Sequence, residues 1–407
     1  MSRKILITIS IVLVLVAVGL AWYYFFVLSA QNQTGNNMTT TSKTFSPFGG
    51  TGYSGTTTGF SSTTQSTAPA TNANQLNYTQ KLRELWNQPT SGSGVLDTKA
   101  GTVVRFGDKA TGFVYETQLF SPIQNRLSNT TLPLAYSAVW DAKNSSFVAQ
   151  YLTGDTVSTN VLFLKSGTTT DQTITGFALG TNISSVSVFG ETIFYLQTYT
   201  GASLGFTSTI DGKTKKQIWK SPLDELTTQM VSANSIALTT KPYQNVPGFT
   251  YLINATNGSN KKLLGNIPGL VTLVSPDASK VLYSSQTGTS NMYLFDTKTG
   301  GTISITPATF PEKCVWSNKD ANIVYCAVPE NSLDGTSLTA WYMGQTSFTD
   351  DIWKYDLKQN TASIIEHLYA DAGEQVDVIK PTLSTSEQYL VFINKTDGTL
   401  WSLDLTK

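Results

Sequence analysis

Apolar and polar residues alternate in short runs along most of the chain, with turn residues between the runs. The pattern is clearest between positions 270 and 305, where four runs cover 270–274, 281–284, 292–296 and 302–305. Runs of four to six residues rich in β-branched and aromatic side chains, separated by Gly, Pro, Asp and Ser, are typical of an antiparallel meander. One such sheet is too small to be stable alone, so the pattern predicts similar sheets packed beside it.

The second run of this unit recurs along the chain at a nearly constant spacing. Five of the six intervals fall between 42 and 46 residues, and the last is 67 because it contains insertions at 329–349 and 366–376. A period in the low forties with four strands per unit indicates a propeller. We therefore predict an all-β fold, a seven-bladed β-propeller of four-stranded antiparallel blades over residues 95–407. The recurring markers are Val103-Val104, Phe147-Val148, Ile193-Phe194, Ile236-Ala237, Val281-Leu282, Ile323-Val324 and Leu390-Val391.

The N-terminus carries the longest uncharged run. Arg3 and Lys4 precede residues 5–28, which would form a helix of about 36 Å, long enough to cross a ~30 Å hydrocarbon core. A cleaved signal peptide is the alternative, but its apolar region is shorter, and Leu28 is too large for a cleavage site. Residues 1–30 are therefore predicted to be an uncleaved transmembrane anchor. The basic residues before it favour a single-pass protein with a cytoplasmic N-terminus and an extracytoplasmic body.

Two connecting segments follow the anchor. Residues 31–75 are rich in Ser, Thr, Gly and Asn and hold one charge, Lys43, so they are predicted to be a disordered, flexible linker. Residues 76–94 are predicted to be a short helix and connector. Leu82, Leu85 and Trp86 fall at helical spacing within 78–87, and Pro89 ends the run.

Closure of the ring is a separate question. The last blade has strands predicted at 378–383, 389–393 and 400–404, and no fourth strand follows before residue 407. The segment 95–97 can be the innermost strand of the first blade or the outermost strand of the last. We favour the first placement, because losing an inner strand would expose more apolar surface than a bare outer edge.

Several blades share a local motif. Val274-Ser-Pro-Asp277 precedes the run 281–283, the run 293–296 follows it, and 400–404 repeats the pattern. This unit resembles the WD-repeat-like blades of the TolB-type propellers. With its anchor and linker the chain also resembles membrane-anchored propellers of bacterial envelopes. The resemblance implies a propeller in the cell envelope, but TolB is periplasmic and free, so its own role is not implied here.

The charge balance and the two cysteines limit the kinds of partner and site that the protein can have. With 27 basic and 27 acidic residues, the chain has no net field to attract nucleic acid, and no nucleic-acid partner is predicted. Cys314 and Cys326 flank one predicted hairpin turn. Outside the cytoplasm they would form a cross-strand disulfide, and two buried free thiols are the alternative. Their spacing does not fit a zinc site, and no metal is predicted.

Two segments carry catalytic residue types. Gly201–Gly205 matches the G-x-S-x-G nucleophile motif around Ser203, but that motif requires a strand followed by a helix, and here strands lie on both sides. The single histidine, His367, lies with four carboxylates in 366–377, which lacks a calcium-loop pattern and is predicted to be a solvated loop. No catalytic residue and no cofactor is predicted.

The long connections are predicted to share one face of the propeller. They are the second-to-third strand connections 152–160, 241–248 and 329–349 and the blade-to-blade connections 129–136 and 366–376. Long loops on a rigid scaffold commonly build binding surfaces, and Trp and Tyr are favoured there. We call this side the long-loop face. Alternatively, Trp341 and Phe348 pin their own loop. The candidate binding residues are Tyr151, Tyr243, Trp341, Tyr342, Phe348 and Tyr369.

Two functions are compatible with these features. The favoured one is a non-enzymatic binding or scaffold module, held at a membrane, whose long-loop face binds an envelope protein or a glycan. The alternative is an extracytoplasmic lyase or hydrolase with its site at the mouth of the central channel. An enzyme would be indicated by two or more ionisable groups with perturbed pKa values that converge in that mouth.

Overall fold

The computed structural model describes residues 80–407, apart from 133, 155, 165–172, 288, 332 and 334–337. The predicted anchor and linker lie outside the described residues. Within the described part, no helix is long and apolar enough to span a bilayer.

Seven four-stranded antiparallel sheets, the blades, contain the 28 strands of the described chain. Blade 1 comprises β2 (Thr90–Thr98), β3 (Gly101–Asp108), β4 (Val114–Gln118) and β5 (Gln124–Arg126). Blade 2 comprises β6 (Ala135–Trp140), β7 (Ser146–Thr153), β8 (Thr156–Phe163) and β9 (Thr175–Gly180). Blade 3 comprises β10 (Ile183–Phe189), β11 (Thr192–Tyr199), β12 (Ala202–Thr209) and β13 (Lys215–Ser221). Blade 4 comprises β14 (Leu226–Ser232), β15 (Ser235–Thr240), β16 (Pro247–Asn254) and β17 (Asn260–Pro268).

The remaining blades follow the same order. Blade 5 comprises β18 (Val271–Val274), β19 (Lys280–Thr287), β20 (Thr289–Asp296) and β21 (Thr302–Ile305). Blade 6 comprises β22 (Cys314–Trp316), β23 (Ile323–Pro329), β24 (Asp350–Asp356) and β25 (Thr361–His367). Blade 7 comprises β26 (Val378–Leu383), β27 (Tyr389–Asn394), β28 (Leu400–Asp404) and β1 (Leu82–Trp86). The predicted fold, a seven-bladed all-β propeller, is confirmed.

Among the described residues, three short helices lie between strands of blades 5, 6 and 7. A 3₁₀ helix, Pro311–Lys313, precedes blade 6, and helix α1, Leu338–Tyr342, lies in its second-to-third connection. Helix α2, Leu368–Ala372, connects blades 6 and 7. All three therefore belong to connections on the long-loop face.

Strand β1 closes the ring. It pairs with β28 as the outermost strand of blade 7, with Leu82 opposite Leu403. The first blade keeps the strand that contains 95–97 as its innermost member, as predicted. The helix predicted over 78–87 is wrong, because its residues 82–86 form β1 instead.

A β-bulge explains why β1 has the apolar spacing of a helix. Glu84 pairs with Trp401 and Trp86 pairs with Leu400, so one extra residue is inserted between them. Such an insertion shifts the two-residue alternation of a strand by one position. Leu82 and Leu85, three residues apart, are consequently both buried.

Polar contacts fasten β1 to the blades on both sides. The Arg83 guanidinium donates to the carbonyl oxygens of Leu119 and Ser121 in blade 1, each at 2.6 Å. On the other side, the Lys81 ammonium lies 2.9 Å from a carboxylate oxygen of Glu366 in blade 6. The strand thus links three consecutive blades.

The hydrophobic core lies between adjacent blades, and the innermost strands surround a central channel. Small polar side chains join neighbouring inner strands: the Gln229 amide exchanges two hydrogen bonds of 2.9 Å with the backbone of Val274. Blades 1 and 2 approach more closely still. A Cβ at Gly92 would lie 2.0 Å from the carbonyl oxygen of Ala138, so only glycine permits this contact.

Cys314 and Cys326 lie opposite each other on β22 and β23 and form a disulfide. Both are buried between blades 5 and 6.

One predicted long connection is wrong. Residues 152–160 belong mostly to β7 and β8, which pair up to Thr153 and Thr156 in a tight hairpin. The other four connections are present, at 127–134, 241–246, 330–349 and 368–377. A fifth, at 306–313, was not predicted.

Candidate binding site on the long-loop face

A cavity of about 250 Å³ opens on the long-loop face, and we call it the mouth pocket. It lies between the connection 241–246 of blade 4, the connection 306–313 and helix α1. Its wall includes Thr227 on the innermost strand of blade 4, which places it at the rim of the central channel. The lining residues are Thr227, Lys241, Pro242, Tyr243, Glu312, Thr339, Tyr342 and Met343.

The connection 330–349 reaches from blade 6 to blade 4 to build this pocket. The backbone N–H of Leu338 donates to the side-chain oxygen of Gln286 in blade 5, at 3.0 Å. The backbone N–H of Gln244 in blade 4 donates to the Thr339 hydroxyl, at 3.3 Å. The loop is therefore held at blades 5 and 4, and α1 stands beside Tyr243.

An aromatic cluster supports the loop from below. The ring centroid of Trp341 lies 5.4 Å from that of Phe310 and 6.2 Å from that of Phe348. Trp341 is 2% exposed and Phe348 is 8% exposed. These two predicted binding residues thus pack inside the loop, as the alternative interpretation held, and present little surface to a partner.

A buried charged triad lies against this cluster. The Lys313 ammonium is 2.7 Å from Asp350 Oδ2 and also contacts Asp377 Oδ1, with all three side chains fully buried. The Trp341 indole N–H donates to Asp377 Oδ2 at 2.9 Å. The backbone N–H of Phe348 donates to the same oxygen at 3.2 Å. The triad therefore fixes the loop that carries α1.

Two carboxylates share one ammonium in this triad. Burial raises the pKa of Asp350 to about 6, and the neighbouring Asp377 charge adds to the effect, while Lys313 opposes it. Asp350 Oδ2 accepts a hydrogen bond of 2.7 Å from the backbone N–H of Val378. No described group hydrogen-bonds Asp350 Oδ1. Asp350 therefore protonates at a higher pH than an ordinary aspartate.

Apart from the triad, a carboxylate and a phenol form a pair in the lining of the mouth pocket. The Tyr342 hydroxyl donates to Glu312 Oε1. Glu312 and Tyr342 are both exposed as residues, but the oxygens that they share are turned toward each other and poorly solvated. This desolvation raises the pKa of Glu312, and the hydrogen bond from Tyr342 lowers it in part. Desolvation and then the Glu312 charge raise the pKa of Tyr342 above its ordinary value. The pocket therefore holds a carboxyl group that protonates more readily than usual, beside a phenol that stays protonated.

Exposed apolar residues concentrate on the long-loop face. Of the fifteen large hydrophobic residues exposed in the described chain, ten lie at its connections or at the strand ends beside them. Met343 and Tyr243 at the mouth pocket are 66% and 60% exposed. Of the remaining five exposed hydrophobic residues, three lie on the opposite face and two lie on outer strands. The ten are Leu134, Tyr136, Leu152, Tyr199, Leu223, Tyr243, Val246, Tyr342, Met343 and Tyr369.

The structure separates the six candidate binding residues into four groups, of which Trp341 and Phe348 form the buried one. Tyr243 and Tyr342 meet at the mouth pocket. Tyr369 is 53% exposed on α2 of the same face. Tyr151 is half-buried in β7, where its hydroxyl accepts a hydrogen bond of 2.9 Å from the Asn160 amide.

The catalytic residue types do not converge. Ser203 is fully buried in β12 of blade 3, and His367 lies in blade 6, 3.1 Å from Asp351. Ser203 is followed by further strand residues, so it does not stand on a strand-to-helix turn. Within the described residues, no group of three His, Cys, Asp or Glu side chains is arranged to hold a metal ion.

Sequence reasoning missed Glu312, Lys313 and Asp350. Glu312 and Lys313 lie together in the 3₁₀ helix before blade 6, and Asp350 begins β24; only the blade geometry brings them near α1. The one available signal was weak: acidic and basic residues directly beside predicted strand starts in a chain with only 13% charged residues.

The sequence matches no protein-family model and no curated protein. Solved propellers do match the fold. An oligogalacturonate lyase in complex with manganese has a TM-score of 0.53 and 10% identity, covering 80% of this chain and 94% of that chain. The β-propeller domain of the trilobed protease from Pyrococcus furiosus has a TM-score of 0.51 and 10% identity, and the match covers 79% of this chain and 99% of that domain. TolB from Acinetobacter baumannii has a TM-score of 0.41 and 11% identity, and the match covers 77% of this chain and 63% of TolB.

The protein is thus a seven-bladed β-propeller, and the solved structures with a similar fold include the β-propeller domain of a protease. At such identities the likeness shows the fold alone.

Proposed function

We propose that the protein is a membrane-tethered binding module that holds an envelope protein through the mouth pocket and the apolar residues around it. The observation that carries this proposal is the concentration of ten of the fifteen exposed large hydrophobic residues on one face. Exposed apolar clusters rimmed by polar groups mark interaction sites. The polar rim is present, since Lys241 pairs with Glu225 at 2.6 Å beside the pocket.

The chemistry of the pocket favours a protein over a glycan. Met343 and Val246 are aliphatic and more than half exposed, and such surface gains most by covering apolar side chains. Tyr243 adds a rigid ring with a polar end, which suits a protein interface.

The tether completes the proposal. Residues 1–30 would anchor the chain, and 31–75 would let the propeller reach a partner at some distance from the bilayer. The disulfide supports an oxidising, extracytoplasmic location for the blades. Fractionation should leave the full-length protein in the membrane with its N-terminal peptide intact. Recovery of a mature protein that begins near Gln31 would contradict the anchor.

The binding role is tested by comparing two faces of one molecule. The full chain, a Tyr243→Ala/Met343→Ala variant and a Phe120→Ala/Ile123→Ala variant are affinity-isolated from the membranes of cells that produce them. Phe120 and Ile123 are 52% and 61% exposed on the opposite face, so they form a matched control. Quantitative mass spectrometry should identify a protein retained by the full chain and the control but reduced at least tenfold by the pocket variant.

The identified protein is then purified and titrated against the three forms. Equal dissociation constants for the pocket and control variants would refute the proposed face.

A second function is favoured by one observation. Glu312, with its raised pKa, and Tyr342 converge at the channel mouth, which is the arrangement expected of an enzyme. Glu312 would act as a general acid toward a bound substrate. Mass spectrometry of the captured partner or of envelope glycan after incubation separates the two functions. A covalently changed product that is lost with Glu312→Gln indicates an enzyme, and unchanged material indicates binding alone.

A further inference from the structure

Exposed charges are distributed unevenly between the two faces of the ring, although the chain as a whole carries no net charge. Among the exposed residues that the structure describes, the long-loop face has seven acidic and three basic side chains at its connections and the strand ends beside them. The opposite face has four acidic and eleven basic ones. The long-loop face is therefore the negative side of the molecule. Its exposed acidic residues are Asp224, Glu225, Glu312, Glu330, Asp371, Glu374 and Asp397.

Most of these carboxylates have no cation beside them. Of the seven, only Glu225 forms an ion pair within the described chain, with Lys241 at 2.6 Å. The charges of Glu374 and Asp397 add to burial in raising the pKa of Glu84, so these three carboxyl groups lie near one another. A surface of unpaired like charges attracts a partner of the opposite sign and speeds its association. The long-loop face therefore fits a partner surface that is rich in basic side chains.

The mouth pocket contains one of these unpaired carboxylates. Tyr342 donates to Glu312 Oε1, and no described group hydrogen-bonds the other carboxylate oxygen. Lys241 lines the same pocket, but its ammonium is paired with Glu225 outside the lining. A poorly solvated carboxylate gains more from an incoming cation than one that water already stabilises. Glu312 is therefore the group of the pocket that can accept a hydrogen bond from a cationic side chain.

The nearest buried cation does not fill this role. Lys313 follows Glu312 in the chain, and its charge lowers the pKa of that carboxyl group in part. Its ammonium, however, is held by Asp350 and Asp377 on the buried side of the loop. The open side of Glu312 is thus left to a group from outside the molecule.

The remaining lining suits a guanidinium better than an ammonium. Tyr243 and Tyr342 contribute aromatic rings, on which the planar and weakly hydrated head of arginine can stack. Met343, which is 66% exposed, offers apolar surface to the aliphatic stem of such a side chain. The volume of about 250 Å³ is below the roughly 300–1,000 Å³ of small-molecule sites, so the pocket suits a single side chain.

We propose that the partner binds through a basic surface, and that one of its arginine side chains enters the mouth pocket. The guanidinium donates to Glu312 and stacks on the tyrosine rings, and the stem covers Met343. Other basic residues of the partner face the carboxylates around the pocket. This inference rests on the proposed function, because it names the chemistry of the protein that the long-loop face binds.

Methyl NMR with a small arginine probe tests the pocket without the partner. The full-length protein in detergent carries ¹³C in its methionine ε-methyl groups, and the Met343 signal is assigned through Met343→Leu. N-acetyl-argininamide should shift this signal saturably. N-acetyl-citrullinamide, in which a neutral urea replaces the guanidinium, should bind roughly fivefold or more weakly.

Two matched variants locate the charge that the probe recognises. Glu312→Gln should weaken the binding of argininamide roughly fivefold or more, because the charge-assisted hydrogen bond is lost. Glu191→Gln removes the same charge from an exposed turn of the opposite face and should leave the affinity unchanged. The comparison of argininamide with citrullinamide in the unmodified protein does not depend on the folding of either variant.

Two tripeptides test the charge around the pocket. N-acetyl-Lys-Arg-Lys-amide and N-acetyl-Glu-Arg-Glu-amide present the same arginine with opposite flanking charges. At low ionic strength the basic tripeptide should bind roughly tenfold or more tightly than the acidic one. The difference should shrink in about 0.5 M salt, because screening weakens contacts between exposed charges.

The inference is overturned if argininamide leaves the Met343 signal in place, if citrullinamide binds as tightly, or if Glu312→Gln keeps full affinity. It is also overturned if the acidic tripeptide binds as tightly as the basic one. Failure of the proposed function gives a different result. The Tyr243→Ala/Met343→Ala variant would then capture the same proteins as the full chain, while argininamide still bound the unmodified protein and supported the arginine site.

Discussion

The Trp341 indole donates a hydrogen bond of 2.9 Å to the Asp377 carboxylate. Trp341 lies in the second-to-third connection of blade 6, which reaches across to blade 4, and Asp377 lies in the connection between blades 6 and 7. This contact joins the aromatic cluster under the loop to the buried triad of Lys313, Asp350 and Asp377. Because α1 is the segment that carries Tyr342 and precedes Met343, the shape of the mouth pocket depends on a bond that is itself hidden from solvent.

Trp341→Ala should therefore destabilise the protein. Loss of a buried tryptophan costs about 3–5 kcal/mol, and here the substitution also leaves a buried carboxylate without one donor. Denaturant unfolding measures the change. Trp341→Phe should cost less, since it keeps an aromatic ring in the cluster, although it loses the N–H and part of the indole volume. Tyr342→Ala, at a residue that is 40% exposed, is the control and should cost under half as much as Trp341→Ala. Equal stability of Trp341→Ala and the unmodified protein would contradict the structure of the loop.

Asp350 should make stability depend on pH. Its pKa is about 6 in the folded protein, above its ordinary value of 3.8, so the folded state binds a proton that the unfolded state has lost. The stabilising contribution is fully present below about pH 4 and is lost as the pH rises through about 6. Unfolding measured from pH 4 to 7 should show this decline, and Asp350→Asn should flatten it. Parallel profiles for the two proteins would show that Asp350 keeps an ordinary pKa.

Tyr342→Phe should raise the pKa of Glu312 further, because it removes a hydrogen bond that stabilises the carboxylate. The ¹³C carboxyl shift of Glu312, followed through a pH titration, measures the effect. Tyr369→Phe changes an exposed phenol on the same face and should leave the Glu312 titration unchanged. A lower or unaltered pKa in Tyr342→Phe would mean that the two side chains are not bonded in solution.

Because β1 completes blade 7, a substitution in this N-terminal strand should lower the stability of the protein strongly, although the other strands of blade 7 lie at the C-terminal end of the sequence. Leu85→Ala empties a site that is 1% exposed between blades 7 and 1, at a cost of about 2–5 kcal/mol. The exposed neighbour Gln88→Ala should be within about 0.5 kcal/mol of the unmodified protein. If both substitutions have equally small effects on the urea midpoint, β1 is not part of the ring.

The blades could be predicted from sequence because each repeats one hydrophobic alternation, and a period near 44 residues leaves little choice of architecture. The closing strand could not, since the bulge between Glu84 and Trp86 gives Leu82 and Leu85 a helical spacing. The aromatic composition of 330–349 drew attention to the correct loop. It did not show that Trp341 points inward and Tyr342 outward, because that depends on contacts with Phe310 and Asp377 in other connections.

The central claim is that a partner covers the long-loop face, and hydroxyl-radical footprinting of the full-length protein tests it most directly. Oxidation of Met343 and Tyr243 is compared between native membranes and the purified protein, with Phe120 and Ile123 as reporters of the opposite face. The account predicts that Met343 and Tyr243 are protected several-fold in native membranes, while the two reporters are oxidised equally in both samples. Equal oxidation of Met343 and Tyr243 in the two samples, or protection confined to Phe120 and Ile123, would contradict it.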